Sequence, residues 1–289
     1  MMKTKASLPL FSFHLLILIL GVLYLSFGPI FARWGVYPGL FLNELAFIFI
    51  PGLVLRRLYR ERPGQTFVLF KDLVWTLVAI LAAFPIILII NSAFLGFISG
   101  HVDLTHDTLV WLRGEDRSYL GQIFFLAWVP ALMEETFFRG SVQDIYSQRF
   151  GIWSVPLSAL VFAIFHFDLQ SLVSPFLIGV ILGLIYYTTR SLFLVIIGHL
   201  FHNFLSISLI FFYKPGFFEG LAQALSGIGA WISGLLAGAL LLLCIYLFLK
   251  SLIFLSKGHR ISQPRVGWKA KEFAPLGLLI IVYLVFCLY

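Results

Sequence analysis

Tyr119 to Arg139 reads YLGQIFFLAWVPALMEETFFR, a run apolar enough to cross a bilayer until it meets Glu134, Glu135 and Arg139. An ionised side chain near the bilayer centre costs about 2.5–3.5 kcal/mol on insertion scales, so two adjacent carboxylates there mark a candidate functional site. The alternative is a buried ion pair that staples packed helices together. Helical spacing divides the two acids. Arg139 lies one turn after Glu135, so this pair can share a face, whereas Glu134 points about 100° away. Glu135 is therefore expected to hold Arg139, and Glu134 to face a cavity. A carboxylate without a partner in a partly dry site becomes a usable base near neutral pH.

The same apolarity extends in both directions. Of 289 residues, 61% are hydrophobic and 11% charged, which excludes an ordinary soluble domain. A helix crosses the hydrocarbon core with about 20 residues. Dividing the chain at its polar clusters gives eight or nine spans: 8–31, 40–55, 73–98, 119–145, 153–167, 172–187, 191–212, 228–249 and a short last one, 273–289, that contains Pro275. The polar, acid-rich stretch His101 to Ser118 separates the third from the fourth. The expected fold is all-α, a polytopic membrane helical bundle. It divides into a membrane domain, 1–212, and a C-terminal pair of helices, 213–289, joined by a basic connector from Lys250 to Lys271. No internal repeat or low-complexity segment interrupts it.

Cys244 and Cys287 both sit in apolar runs and offer neither a disulfide framework nor a metal-binding pair. Lys3 and Lys5 precede an apolar run like that of a signal peptide, but the run continues to Phe31 without a small-x-small cleavage site, so a retained first span is expected. The net charge of +7 resides in loops beside spans, including the cluster from Arg56 to Arg62. It fits orientation and anionic lipid better than nucleic acid. With the N-terminus in the cytoplasm, all of the 20 Lys and Arg residues except Arg33, Arg113, Arg117 and Lys214 fall in cytoplasmic segments, as the positive-inside rule requires.

Three further groups of polar residues interrupt the apolar spans. Phe162 and His166 share a helical face, although a lone His in a helix is more often a packing residue. His199 and Asn203 lie one turn apart and project together; hydrocarbon offers them no water, so some other part of the protein must face them. His202 points elsewhere and is expected to support them. Glu44, Asn43, Asn91 and His14 are expected to form inter-helix hydrogen bonds, with Glu44 also a candidate for lining a substrate path. Asp168 is read as marking a helix end. Counted along their helices at a rise of about 1.5 Å per residue, Glu134, His166, His199 and Asn203 fall within one or two turns of a common depth. One site can hold all four.

The ordered triple of Glu134-Glu135-Thr136-Phe137-Phe138-Arg139, Phe162 to His166, and His199 to Asn203 resembles the CPBP (CAAX protease and bacteriocin-processing) intramembrane peptidases, also called the Abi family and related to the type II CAAX prenyl endopeptidase. Their pattern is EExxxR, FxxxH and HxxxN on separate membrane helices. The resemblance covers about 119–212 and leaves the first three spans, the basic connector and the last span unaccounted for. It implies an integral, multi-pass protein of a bacterial inner (plasma) membrane that hydrolyses a membrane-associated peptide or protein substrate. It further implies that Glu134 activates water with help from His166, and that His199 and Asn203 stabilise the oxyanion. Glu135, Arg139, Phe162 and His202 would support them. No cofactor is certain; zinc is a candidate, with Glu134, His166 and His199 as the candidate ligands, although the chain lacks an HExxH helix.

Two other functions compete. A transporter or proton relay would string polar residues across many depths, often with inverted repeats. A catalytically silent scaffold would keep the fold without the motif residues intact.

Overall fold

Backbone polar groups in hydrocarbon must pair within their own segment, so each long apolar run is driven into a helix. The computed structural model describes residues 9–59, 68–100, 118–212, 223, 230–257 and 269–288, and these are helices and their connections, with no strand among them. Helix α1 is Leu10–Phe31. Helix α2 is Val36–Tyr59, with a π turn at Leu45–Phe49, and α3 is Phe70–Ile98. Helix α4, residues 119–150, runs through two π turns, Ile123–Trp128 and Phe138–Gln143. It is followed by α5 (Ser154–Ile164), α6 (Val173–Thr189), α7 (Leu192–Phe212), α8 (Ala230–Ser256) and α9 (Ala274–Leu288). Six of these stretches, containing α1, α2, α3, α7, α8 and α9, are long and apolar enough to cross a membrane. The protein is thus an all-α, polytopic membrane bundle. Lys3, Lys5, Arg60 to Arg62, the polar stretch from His101 to Arg117, Lys214, Arg260 and Arg265 lie outside the described residues.

Helix α4 is the hub, packed against α2, α5, α6 and α7. Helix α6 lies close against α5 because of two glycines one turn apart, Gly179 and Gly183. A Cβ on Gly179 would lie 3.1 Å from the Ala159 Cβ, and one on Gly183 would lie 3.1 Å from Val155. Small residues at this spacing let membrane helices approach closely enough for backbone groups to be reached. Arg139 Nη2 donates to the Gly179 carbonyl at 3.0 Å, and Gln143 Nε2 to the Gly183 carbonyl at 2.8 Å. Two side chains one turn apart on α4 thereby read two carbonyls one turn apart on α6, which fixes the register between the helices.

One expected span comes out shorter. The apolar run 153–167 predicts a crossing helix, whereas α5 has 11 residues, about 16 Å of rise, too short for a core about 30 Å thick. The chain turns at Phe165 and His166, and Phe167 takes a left-handed φ of 46°. Asp168 then closes the turn, accepting from the Gln170 amide at 3.0 Å and the Ser171 hydroxyl at 2.7 Å. Irregular backbone at this depth is tolerated where protein or a cavity surrounds it.

The C-terminal helices attach separately to the bundle, α8 along α3 and α9 along α1. Basic residues collect at one end of it. Lys71 lies over Phe254, Arg149 faces Glu272 at 3.8 Å and Arg190 pairs with Asp144 at 3.2 Å, joining the ends of α3 and α8, α4 and α9, and α4 and α6.

Candidate active site

The helical phase of α4 separates its two glutamates as the spacing predicts. Glu135 is fully buried, and its Oε1 accepts from Arg139 Nη1 at 2.8 Å. Arg139 is itself fully buried and lies 4.8 Å from the face of the Phe162 ring. A buried guanidinium is costly unless its charge is met; Glu135, the Gly179 carbonyl and the aromatic face meet it, although Nε is left without a hydrogen-bond partner. The same Glu135 Oε1 also lies 2.7 Å from His199 Nδ1. That second partnership joins α4 to α7 and is invisible in the spacing of either motif. A carboxylate held by Arg139 accepts, so His199 donates from Nδ1 and turns Nε2 toward Glu134, whose Oε2 is 3.8 Å away.

Glu134 lines a cavity of about 400 Å³ together with His166, His199, His202 and Asn203. His166 sits in the turn after α5 and its Nδ1 is 3.1 Å from the Phe162 carbonyl, which can only accept. The proton therefore belongs on Nδ1, and the neutral ring keeps Nε2 as an acceptor. Phe162 supports both imidazoles edge to face, with ring centroids 5.0 Å from His166 and 5.7 Å from His199. Asn203 Nδ2 donates to the Leu126 carbonyl at 3.3 Å, within the first π turn of α4. A π turn disrupts the regular ladder and leaves a carbonyl available for such a bond. His202 packs its ring 5.6 Å from Phe84, and its Nδ1 has no hydrogen-bond partner.

All four candidate catalytic residues thus face one cavity, and the polar groups are gathered rather than strung across the bundle. Glu44 lines the same cavity and accepts from the Tyr24 hydroxyl at 3.0 Å. Two contributors escaped the sequence reading. Gly179 announces itself by its four-residue spacing from Gly183. Tyr283, on α9, carries no such signal, yet its hydroxyl donates to the Asp168 carbonyl at 3.1 Å and so holds the turn that bears His166.

The candidate zinc set is a different matter. Among the described residues no three His, Cys, Asp or Glu side chains converge as ligands of one ion, and no step below is routed through a metal.

A carboxylate and two oriented imidazoles facing a cavity are parts that general acid–base chemistry can use. Residues 116–205 match the family model described as type II CAAX prenyl endopeptidase Rce1-like. Over this core, about a third of its length, the chain is similar to the CAAX-protease (CPBP) family. No curated protein and no solved structure matches the chain.

Proposed function

We propose that this protein is an endopeptidase for membrane-associated peptides in which Glu134 is the base that activates water, His166 assists, and His199 and Asn203 stabilise the oxyanion. The observation that carries the reading is the shared cavity, lined by all four side chains. Water enters beside Glu134 and gives a proton to the carboxylate as its oxygen attacks the peptide carbonyl carbon. His166 Nε2, the free acceptor, orients that water through a second hydrogen bond. The negative charge on the carbonyl oxygen is met by the second N–H of the Asn203 amide and by His199 Nε2, which donates when the ring carries a proton on both nitrogens, both groups being held in place before substrate arrives. Collapse of the tetrahedral intermediate breaks the C–N bond, and the proton held by Glu134 passes to the departing amine.

Glu135 sets the His199 ring in place and Arg139 sets Glu135, so the site has a charge-paired scaffold behind its reacting face. The substrate reaches it from the bilayer, which a peptide carrying a lipid or an apolar segment can enter. The test is cleavage of a fluorogenic prenylated peptide by purified protein in detergent, with metal content measured on the same sample. Glu134→Gln and His166→Ala are expected to reduce kcat by about a hundredfold or more, with helix content and abundance unchanged. Variants that cut as fast as the parent remove the assignment, and turnover that tracks bound metal replaces the carboxylate-only chemistry.

A further inference from the structure

Two residues that line the cavity, one on α2 and one on α3, carry polar atoms that the chemistry above does not use. Glu44 is 7% exposed and lines the cavity. Its Oε1 accepts from the Tyr24 hydroxyl, while its Oε2 has no hydrogen-bond partner. The carboxylate is held firmly: Tyr24 is in turn fixed by Asn43, whose amide donates to the Tyr24 carbonyl at 3.3 Å, and by stacking on Phe167 at 6.2 Å. Asn91, on α3, lines the same cavity, and its Oδ1 is likewise buried without a partner. Buried polar atoms without partners are costly, and here two of them are acceptors on residues that line the cavity. Among the described residues no lysine or arginine lines that cavity, which already holds the carboxylate of Glu134. The lining therefore supplies carboxylates and unpartnered acceptors without a lysine or arginine to offset them.

We propose that Glu44 and Asn91 form a specificity subsite that takes an N–H donor of the substrate peptide and selects positive over negative charge beside the cleaved bond. The inference rests on the peptidase reading of the same cavity. Peptide amides and a lysine or arginine side chain supply partners for these two acceptors. A substrate carboxylate at this subsite meets two acceptor atoms and like charge, an arrangement that disfavours binding. Glu44 immediately precedes the π turn Leu45–Phe49, a deformation of the kind that aims side chains into functional sites.

The experiment uses full-length protein in detergent and prenylated fluorogenic peptides with Lys, Gln or Glu placed in turn at each position on either side of the cut. At one position kcat/KM is expected to fall from Lys through Gln to Glu by about tenfold or more, with the difference in KM. Glu44→Gln should flatten that ranking and Glu44→Lys reverse it. A ranking that is absent, or that survives Glu44→Gln while all peptides slow equally, overturns the subsite and leaves the peptidase reading standing. Failure of the parent protein to cut any peptide in the set overturns both. Should Glu44→Lys not accumulate, Glu44→Gln decides between these outcomes alone.

Discussion

Glu135 is the residue on which the site's organisation turns, because a single oxygen receives both the Arg139 guanidinium and His199. Its neighbour Glu134 faces the cavity, with His199 Nε2 at the longer approach of 3.8 Å. The two glutamates should therefore fail in different ways. Glu134→Gln is expected to remove turnover while leaving thermal stability near that of the parent. Glu135→Gln should remove turnover and also cost about 3–5 kcal/mol, because it leaves a buried arginine without its counter-charge; thermal unfolding in detergent separates the two. Equal stability of both variants would contradict the paired scaffold. The division of labour was legible in the sequence through the four-residue spacing of Glu135 and Arg139. The imidazole partner was not, since helical spacing reports only neighbours on the same helix.

At the level of elements, α5 and α6 make a short hairpin whose closeness depends on Gly179. A methyl there meets the Ala159 Cβ at 3.1 Å and the Phe162 ring at 3.2 Å, so Gly179→Ala is an overpacking change of about 1–3 kcal/mol. It also pushes on the ring that separates Arg139 from both histidines. The expected result is a lower Tm together with reduced kcat, whereas a loss of stability alone would show that Phe162 does not transmit the strain. The sequence located most helices well, because long apolar runs between polar clusters have few other solutions in lipid. It overstated α5, whose apolar character continues through Phe165 and Phe167 after the backbone has left the helix. There the left-handed Phe167 and the Asp168 turn overrode hydropathy. The tyrosine that secures this turn comes from the far end of the chain and has no local pattern to reveal it.

Across the whole molecule, the basic residues Lys71, Arg149, Arg190 and Lys250 are drawn to one end by contacts with aromatic rings and acids. By the positive-inside rule that end is expected to face the cytoplasm. A fluorescent protein inserted within 258–268 should fluoresce, and alkaline phosphatase inserted there should be silent; the opposite pair of results would invert the topology. The motif region carries the family match, while the cavity lining also draws on α2 and α3, which that match does not reach. The proposed subsite thus lies outside the matched core.

The bond from Tyr283 to Asp168 ties the reactive turn to a helix that leaves the ribosome after every other described one. A protease assembled in this order is safe while it is being made: nascent chains ending near Lys257 should insert and yet stay idle, and appending α9 should switch them on. Truncated chains released from the ribosome and assayed on the fluorogenic peptide distinguish the two cases, since full turnover without α9 would mean the turn needs no late anchor.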